Sequence, residues 1–335
     1  TIFLNLLSEL QTNTDYLFKV SESLSLLDVF ATLALKIQEN NWILPKLSDE
    51  AEIIITNGSH PILSTNSNSS NLEFNYYPNN TDLNEEKRMM LLTGPNMSGK
   101  STYMKQVALI TILARMGSPV PAEEAKIGTV DRIFTRIGAA DDLAGGRSTF
   151  MVEMTEAARI LHESTNKSLV LLDEIGRGTS TSDGLALAIS IATELSQCNK
   201  ALCLFATHYF EITELEKTLD GVNNFHISTE ENEEQIIFLY ELKKGPASKS
   251  FGLKVAKLAG VPPTVLKRAN KITIPSYPNQ NTIKPETLAK EKYILNDLNE
   301  KIINEIKNIE PNDCSPNTAL NLLFRWKKSL KPGKN

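Results

Sequence analysis

The feature that most constrains the fold is a glycine-bounded loop between an apolar segment and an amphipathic one. Residues 89–92 are apolar, and the loop after them carries Gly94, Gly99, Lys100 and Ser101 in the pattern G-x-x-x-x-G-K-[ST]. Apolar side chains then recur at helical spacing, at Tyr103, Val107, Ile110 and Leu113. Such a loop binds phosphates through backbone N–H groups, a helix N-terminus and the lysine, and its hydroxyl contacts Mg²⁺. The sequence therefore predicts a nucleotide-binding loop, made by Gly94, Pro95, Asn96, Met97, Ser98, Gly99, Lys100, Ser101 and Thr102.

A pair of acidic residues follows the apolar run at residues 169–172. Four consecutive apolar residues are typical of a parallel strand that is covered on both faces. Adjacent carboxylates at the end of such a strand are costly without a metal partner, which disfavours the alternative of a solvated acidic turn. ATP hydrolysis needs a metal ligand and a group that orients water, so we predict that Asp173 binds Mg²⁺ and Glu174 orients the water.

His208 follows the next apolar run, at residues 201–206. Ligands of open α/β sheets bind at the edge where the parallel strands end, so His208 is a candidate sensor of the γ-phosphate. A core histidine that is satisfied by backbone groups fits the spacing equally well.

Two other segments carry candidate site residues. Phe74, Tyr76 and Tyr77 lie close upstream of the loop, where they fit either an edge strand or an aromatic that stacks on a nucleotide base. Ser148 or Thr149 is a suitable N-cap for a helix that follows the polar loop 138–147.

The remaining pattern predicts an α/β fold with a mostly parallel sheet, because strands alternate with helices between residues 89 and 206. Residues 1–47 read as helices with an apolar stripe that is expected to face a core. The other expected elements are a strand at 130–137, a helix at 183–197, an antiparallel hairpin at 223–228 and 236–242, two short helices within 245–272, a linker at 275–285, and helices at 286–309 and 316–329.

The composition is that of an ordinary globular protein, with 335 residues, 41% hydrophobic and 22% charged, and a net charge of −5. No apolar run approaches the roughly 20 residues of a membrane span. Three scattered cysteines lack metal-site spacing and favour a reducing cytoplasm. The N-terminus has neither an initiating methionine nor a signal peptide, so we expect a fragment or a processed product.

Five motifs together resemble the MutS family of DNA mismatch-repair ATPases, over about residues 20–330. They are residues 94–104 (GPNMSGKSTYM), 134–142 (FTRIGAADD), 146–154 (GRSTFMVEM), 173–181 (DEIGRGTST) and 206–210 (ATHYF). The resemblance implies a P-loop NTPase of the ABC-ATPase type. It also implies four parts: the end of a helical lever (1–50), the ATPase domain (51–245), a helix-turn-helix-like dimerisation element (246–275), and a linker with a helical tail (276–335).

The resemblance assigns roles to residues. Gly94–Thr102 would be Walker A, Asp173 and Glu174 Walker B with the hydrolytic base, 175–179 the D-loop, and His208 the switch histidine. Tyr76 would stack on adenine, where the family commonly has phenylalanine. Ser148 and Thr149 would belong to the signature segment that reaches the γ-phosphate of a partner chain. Ser98 replaces a usual glycine, so a positive φ there would cost about 1 kcal/mol and slow hydrolysis.

The same resemblance implies ATP and Mg²⁺ as cofactors, and a homodimer with a tetramer through the tail as a further option. Mismatched double-stranded DNA and a MutL-type repair protein would be partners in the full-length context. No phenylalanine is followed two positions later by glutamate, so the Phe-x-Glu motif that reads mismatches in this family is absent from this sequence. The alternatives are an assembly module with little turnover, or another ABC-like DNA-repair ATPase such as a recombination-suppressing relative.

Overall fold

The computed structural model describes residues 1–66, 76–95, 98–138, 148–231, 236–247 and 252–271, together with 320, 322 and 324–326. The chain divides into two units, residues 1–272 and 273–335. In the second unit the few described residues are helical. The predicted linker at 275–285, the predicted helix at 286–309 and most of the one at 316–329 lie outside the described residues.

The elements of the first unit follow in chain order. The helices are α1 (Ile2–Thr12), α2 (Thr14–Asn40), α3 (Leu63–Asn66), α4 (Lys100–Arg115), α5 (Thr149–Glu163), α6 (Thr181–Glu194), α7 (Gly252–Leu258) and α8 (Pro263–Lys271). The strands are β1 (Lys46–Leu47), β2 (Ile53–Gly58), β3 (Asn79–Leu83), β4 (Met89–Thr93), β5 (Glu124–Ile127), β6 (Ile133–Arg136), β7 (Leu169–Asp173), β8 (Leu202–Ala206), β9 (Val222–Glu231) and β10 (Ile236–Lys244). A π-helical turn (Leu195–Asn199) continues α6, and a 3-10 helix (Phe210–Lys217) follows β8.

The main sheet has six strands in the order β10-β9-β4-β8-β7-β6. All neighbouring pairs are parallel except β9 and β10, which form the predicted antiparallel hairpin. The mostly parallel sheet is therefore confirmed. Its register pairs Leu92 of β4 and Asp173 of β7 with Ala206 of β8, so the three strands end at the same edge.

Both faces of this sheet are covered, which explains the unbroken apolar runs in its strands. Met90 and Leu92 of β4 face a core that includes α4 and the smaller sheet, β1-β5-β2-β3. Met89 and Leu91 face the opposite core, which includes residues of α5 and α6. All four side chains are at most 2% exposed. This packing fixes the position of the loop after β4.

The N-terminal helices form as predicted, but the expectation that their apolar stripe faces a core is wrong for the described chain. Neither α1 nor α2 contains a buried residue. Leu27 and Phe30 are each 64% exposed. The periodicity of a helix shows that it has an apolar face, whereas the element that covers this face is a tertiary property. No described helix combines the length and the apolar character that crossing a membrane requires.

Candidate nucleotide-binding site

The phosphate loop joins β4 to α4 as predicted. Gly94 and Gly99 have φ values of 136° and 97°, in the region that L side chains rarely adopt, so glycine is needed at both ends of the loop. Gly99 is the N-cap of α4, and the N–H groups of the first helical turn are free to bind an anion. Asn96 and Met97 lie outside the described residues.

Ser98 does not have the strained backbone conformation that the family resemblance led us to expect. The non-glycine residues with positive φ in the described chain do not include Ser98, so the reason for expecting slow hydrolysis disappears. The side chain is fully buried, and its hydroxyl has no hydrogen-bond partner among the described residues.

Lys100 crosses back over the loop. Its Nζ donates to the carbonyl oxygens of Gly94 (2.8 Å) and Pro95 (3.1 Å) and lies 3.8 Å from Glu174 Oε1. Burial lowers the pKa of the Lys100 ammonium, and the carboxylates of Glu174 and Asp173 oppose that shift. The ammonium therefore lies between the loop and the acidic end of β7, where it can contact a phosphate.

Ser101 and Asp173, the two predicted magnesium ligands, are in direct contact. Ser101 Oγ donates to Asp173 Oδ2 at 2.5 Å, and the buried Asp173 Oδ1 has no hydrogen-bond partner within the described residues. A buried carboxylate oxygen without a partner costs free energy unless a bound ligand interacts with it. No group of three or more His, Cys, Asp or Glu side chains in the described part is arranged to hold a metal. The donor set thus fits Mg²⁺, which takes one or two protein ligands and completes its shell with phosphates and water.

Glu174 is held in an unusual conformation beside this pair. Its φ is 55°, and its N–H donates to Ala206 O at 2.9 Å. Its carboxylate forms ion pairs with Lys100 and Arg177 and is largely shielded from solvent. Strain of this kind persists only where the surroundings impose it, and it often marks functional residues. Arg177 lies in the segment that the resemblance assigns to the D-loop, but its ion pair with Glu174 was not predicted.

His208 is exposed at the end of β8, which excludes the alternative of a core histidine. Partial desolvation of its ring lowers the pKa, and the cations Arg177 and Lys100 lower it further. The ring lies 4.0 Å from that of Tyr209, measured between centroids. His208 is therefore neutral near pH 7 and accessible to a ligand that binds beside Lys100.

Ser148 is the predicted N-cap, since its Oγ accepts from Met151 N at 3.2 Å and Thr149 begins α5. Both residues are exposed at the start of the helix, and within the described chain neither side chain hydrogen-bonds to the phosphate loop. The same helix contributes Glu153, whose carboxylate accepts from Gly176 N at 2.5 Å. The Tyr209 hydroxyl donates to Gly176 O at 3.1 Å. Glu153 and Tyr209 therefore hold the segment after Glu174 from two sides.

Two tyrosines lie beside α4. Tyr76 is partly buried, its hydroxyl donates to Gln106 Oε1, and burial raises its pKa. Tyr76 precedes β3, so it is not part of that edge strand, and Phe74 lies outside the described residues. Tyr240, which the sequence reasoning missed, has φ 56°, and a β-carbon added to Gly99 would lie 3.1 Å from its Cδ1. Its ring therefore covers the start of α4.

His60, whose ring centroid lies 6.4 Å from that of Tyr76, makes stability sensitive to acid. Its Nδ1 accepts from Ile62 N and Leu63 N, so the ring is bound in its neutral form. Burial, followed by the Lys105 charge, lowers its pKa below the usual 6.5. The stability contribution is therefore complete above pH ~6.5 and is lost as the pH falls through the lower folded-state pKa.

We expect His60→Gln to reduce the loss of unfolding free energy between pH 7.5 and 5.5, measured by denaturant titration. His162→Gln, at an exposed position in the last turn of α5, is the matched control and should keep the wild-type loss. Equal losses in both variants would mean that His60 does not titrate with folding.

The comparison with known families agrees with this geometry. The family model of MutS domain V matches residues 90–275, which is more than half of the chain. The matched range contains the phosphate loop, the acidic end of β7 and the start of α5, and it extends past α8.

Proposed function

The chain belongs to the MutS family, and from this premise we propose that it binds ATP with Mg²⁺ and hydrolyses it. Domain V is the ATPase domain of that family. The observation that carries the proposal is the convergence of four side chains at one sheet edge, Lys100, Ser101, Asp173 and Glu174. There one buried oxygen of Asp173 has no hydrogen-bond partner among the residues that the structure describes.

Each residue has a defined task in this proposal. Lys100 and the N–H groups at the start of α4 bind the phosphates, and Ser101 and Asp173 hold Mg²⁺. When bound, Mg²⁺ neutralises charge that develops on the transferring phosphoryl group. The Glu174 carboxylate orients the attacking water, and neutral His208 contacts the γ-phosphate. Tyr76 stacks on the adenine base, and the Tyr240 ring covers the phosphate loop at Gly99.

The site is completed by a second copy of the chain in this proposal. Proteins of this family act as dimers that bind DNA. Ser148 and Thr149 are at a helix N-terminus, which favours negative charge. Among the described residues, their side chains make no hydrogen bond to the phosphate loop of their own chain. A partner's α5 can therefore present them to the γ-phosphate.

In the full-length protein, the nucleotide state would be coupled to binding of mismatched double-stranded DNA and to a MutL-type partner. Residues 246–275 would contribute to the homodimer and the tail to a tetramer. The cytoplasm is the proposed compartment, because the three scattered cysteines lack the spacing of a disulfide framework or a metal site.

Binding of Mg-ATP tests the proposal directly. We expect Lys100→Ala to weaken Mg-ATP binding by about 10- to 100-fold, since a charge-assisted hydrogen bond contributes ~1.5–3 kcal/mol. Lys87→Ala removes a surface lysine that pairs with Asp82, and it should bind like the wild type. Isothermal titration calorimetry with the three proteins gives the comparison. Equal affinities in all three would exclude the loop as the nucleotide site.

A further inference from the structure

Asn79, at the start of β3, connects two segments that are distant in sequence and that each carry a tyrosine of the candidate site. It is 7% exposed. Its Nδ2 donates to Tyr77 O (3.1 Å) and Tyr240 O (2.8 Å), and its Oδ1 accepts from Leu242 N at 2.7 Å. The amide therefore makes three of the four hydrogen bonds open to an asparagine side chain, all of them to backbone.

These hydrogen bonds support an irregular part of β10. The pairing of β9 with β10 shifts register between Phe238 and Leu242. Tyr240 lies inside this bulge with φ 56°, a conformation that a bulky residue adopts only under constraint. Asn79 binds the carbonyl of Tyr240 and the N–H of Leu242, two backbone groups of the bulge. The amide thus satisfies two backbone groups at the register shift.

The bulge lies on the flank of β4 away from the hydrolytic residues. Asp173 ends β7 and Glu174 follows it, and His208 follows β8, all on one side of β4. Strands β9 and β10 lie on the other side. A nucleotide whose γ-phosphate reaches Glu174 therefore directs its base toward the β10 side. Tyr240 is on that side, with its ring against Gly99, and Tyr76 is three residues before Asn79.

We infer that Asn79 is a positioning residue for base binding: it fixes the Tyr240 bulge against the phosphate loop and anchors the segment that carries Tyr76. The inference rests on the proposed ATP site. It adds a residue that influences the binding of the base and not the binding of the phosphates. It predicts that a substitution of Asn79 weakens the binding of ligands that contain a base and does not change the binding of ligands that lack one.

The test compares Mg-ATP with Mg-tripolyphosphate, which has the phosphates but no base, in the full chain. Asn79→Asp has nearly the same shape and keeps an acceptor for Leu242 N, but it loses the donor to Tyr240 O and Tyr77 O. We expect about tenfold weaker binding of ATP, and tripolyphosphate binding within about twofold of wild type. The KM for ATP should rise similarly, with kcat at saturation retained. Asn79→Ser, too short to reach both carbonyls, provides the same comparison where the aspartate variant fails to fold.

Further variants test whether Asn79 influences ATP binding through Tyr240. Tyr240→Ala should show the same selective loss, and the double variant with Asn79→Asp should be no weaker than Tyr240→Ala alone. Asn84→Asp is the matched control, because Asn84 also makes three hydrogen bonds, to Asp82, Glu86 and Lys87, in the turn after β3. It should leave both ligands unaffected.

Equal weakening of ATP and tripolyphosphate, a fall in kcat alone, or no change at all would overturn the role of Asn79. A wild-type chain that binds neither ligand would instead contradict the proposed function itself.

Discussion

Replacing Glu174 with glutamine is expected to lower the rate of ATP hydrolysis by about 10²- to 10⁴-fold, the usual contribution of a positioned acid–base group. Glutamine preserves the size of the side chain but is a poor acceptor for a water proton. ATP binding should not weaken, because Lys100 loses its contact with the Glu174 carboxylate and becomes more available to phosphate. The predicted signature is thus a loss of kcat without a loss of affinity.

Single-turnover hydrolysis of Mg-ATP, measured beside equilibrium binding, separates these two quantities. Glu214→Gln is a matched control, because Glu214 also pairs with a basic residue three positions later, Lys217, but at an exposed position. It should hydrolyse ATP at the wild-type rate. Equal, near-background rates in wild type and Glu174→Gln would favour the assembly module over the ATPase.

The parts of the site that local patterns encode could be predicted from the sequence. The strand, loop and helix around Lys100 follow from glycine spacing and from the periodicity of apolar residues. The buried β7 follows from four apolar residues before Asp173, and the N-cap at Ser148 follows from residue preference. In each case the determinants lie within about 20 residues of one another.

The parts that depend on distant contacts could not be predicted. The bulge at Tyr240 is held by Asn79, which is 161 residues away in sequence, and no periodicity signals such a register shift. The positive φ of Glu174 likewise depends on its tertiary surroundings, including the hydrogen bond to Ala206. The exposed stripe of α2 illustrates the same limit, since an apolar face does not specify what covers it.

Mixing two inactive variants is expected to restore activity, if each site is completed by the partner's α5. Lys100→Ala inactivates the site of its own chain. Ser148→Asp should inactivate the site of the partner, because a carboxylate repels the γ-phosphate. Aspartate is as good an N-cap as serine, so α5 should stay as stable as in the wild type, and thermal unfolding checks this.

The mixed dimer should contain one working site, in which the Ser148→Asp chain supplies Lys100 and the Lys100→Ala chain supplies Ser148. Random assortment makes half of the dimers mixed, so an equimolar mixture should reach about a quarter of wild-type ATPase activity, although each variant alone is near background. Dilution below the dimer dissociation constant should abolish the restored activity, because a site with contributions from two chains cannot form in a monomer. Absence of complementation, or a full rate in dilute monomer, would contradict the shared site and would leave the phosphate loop, Asp173 and Glu174 as a site within one chain.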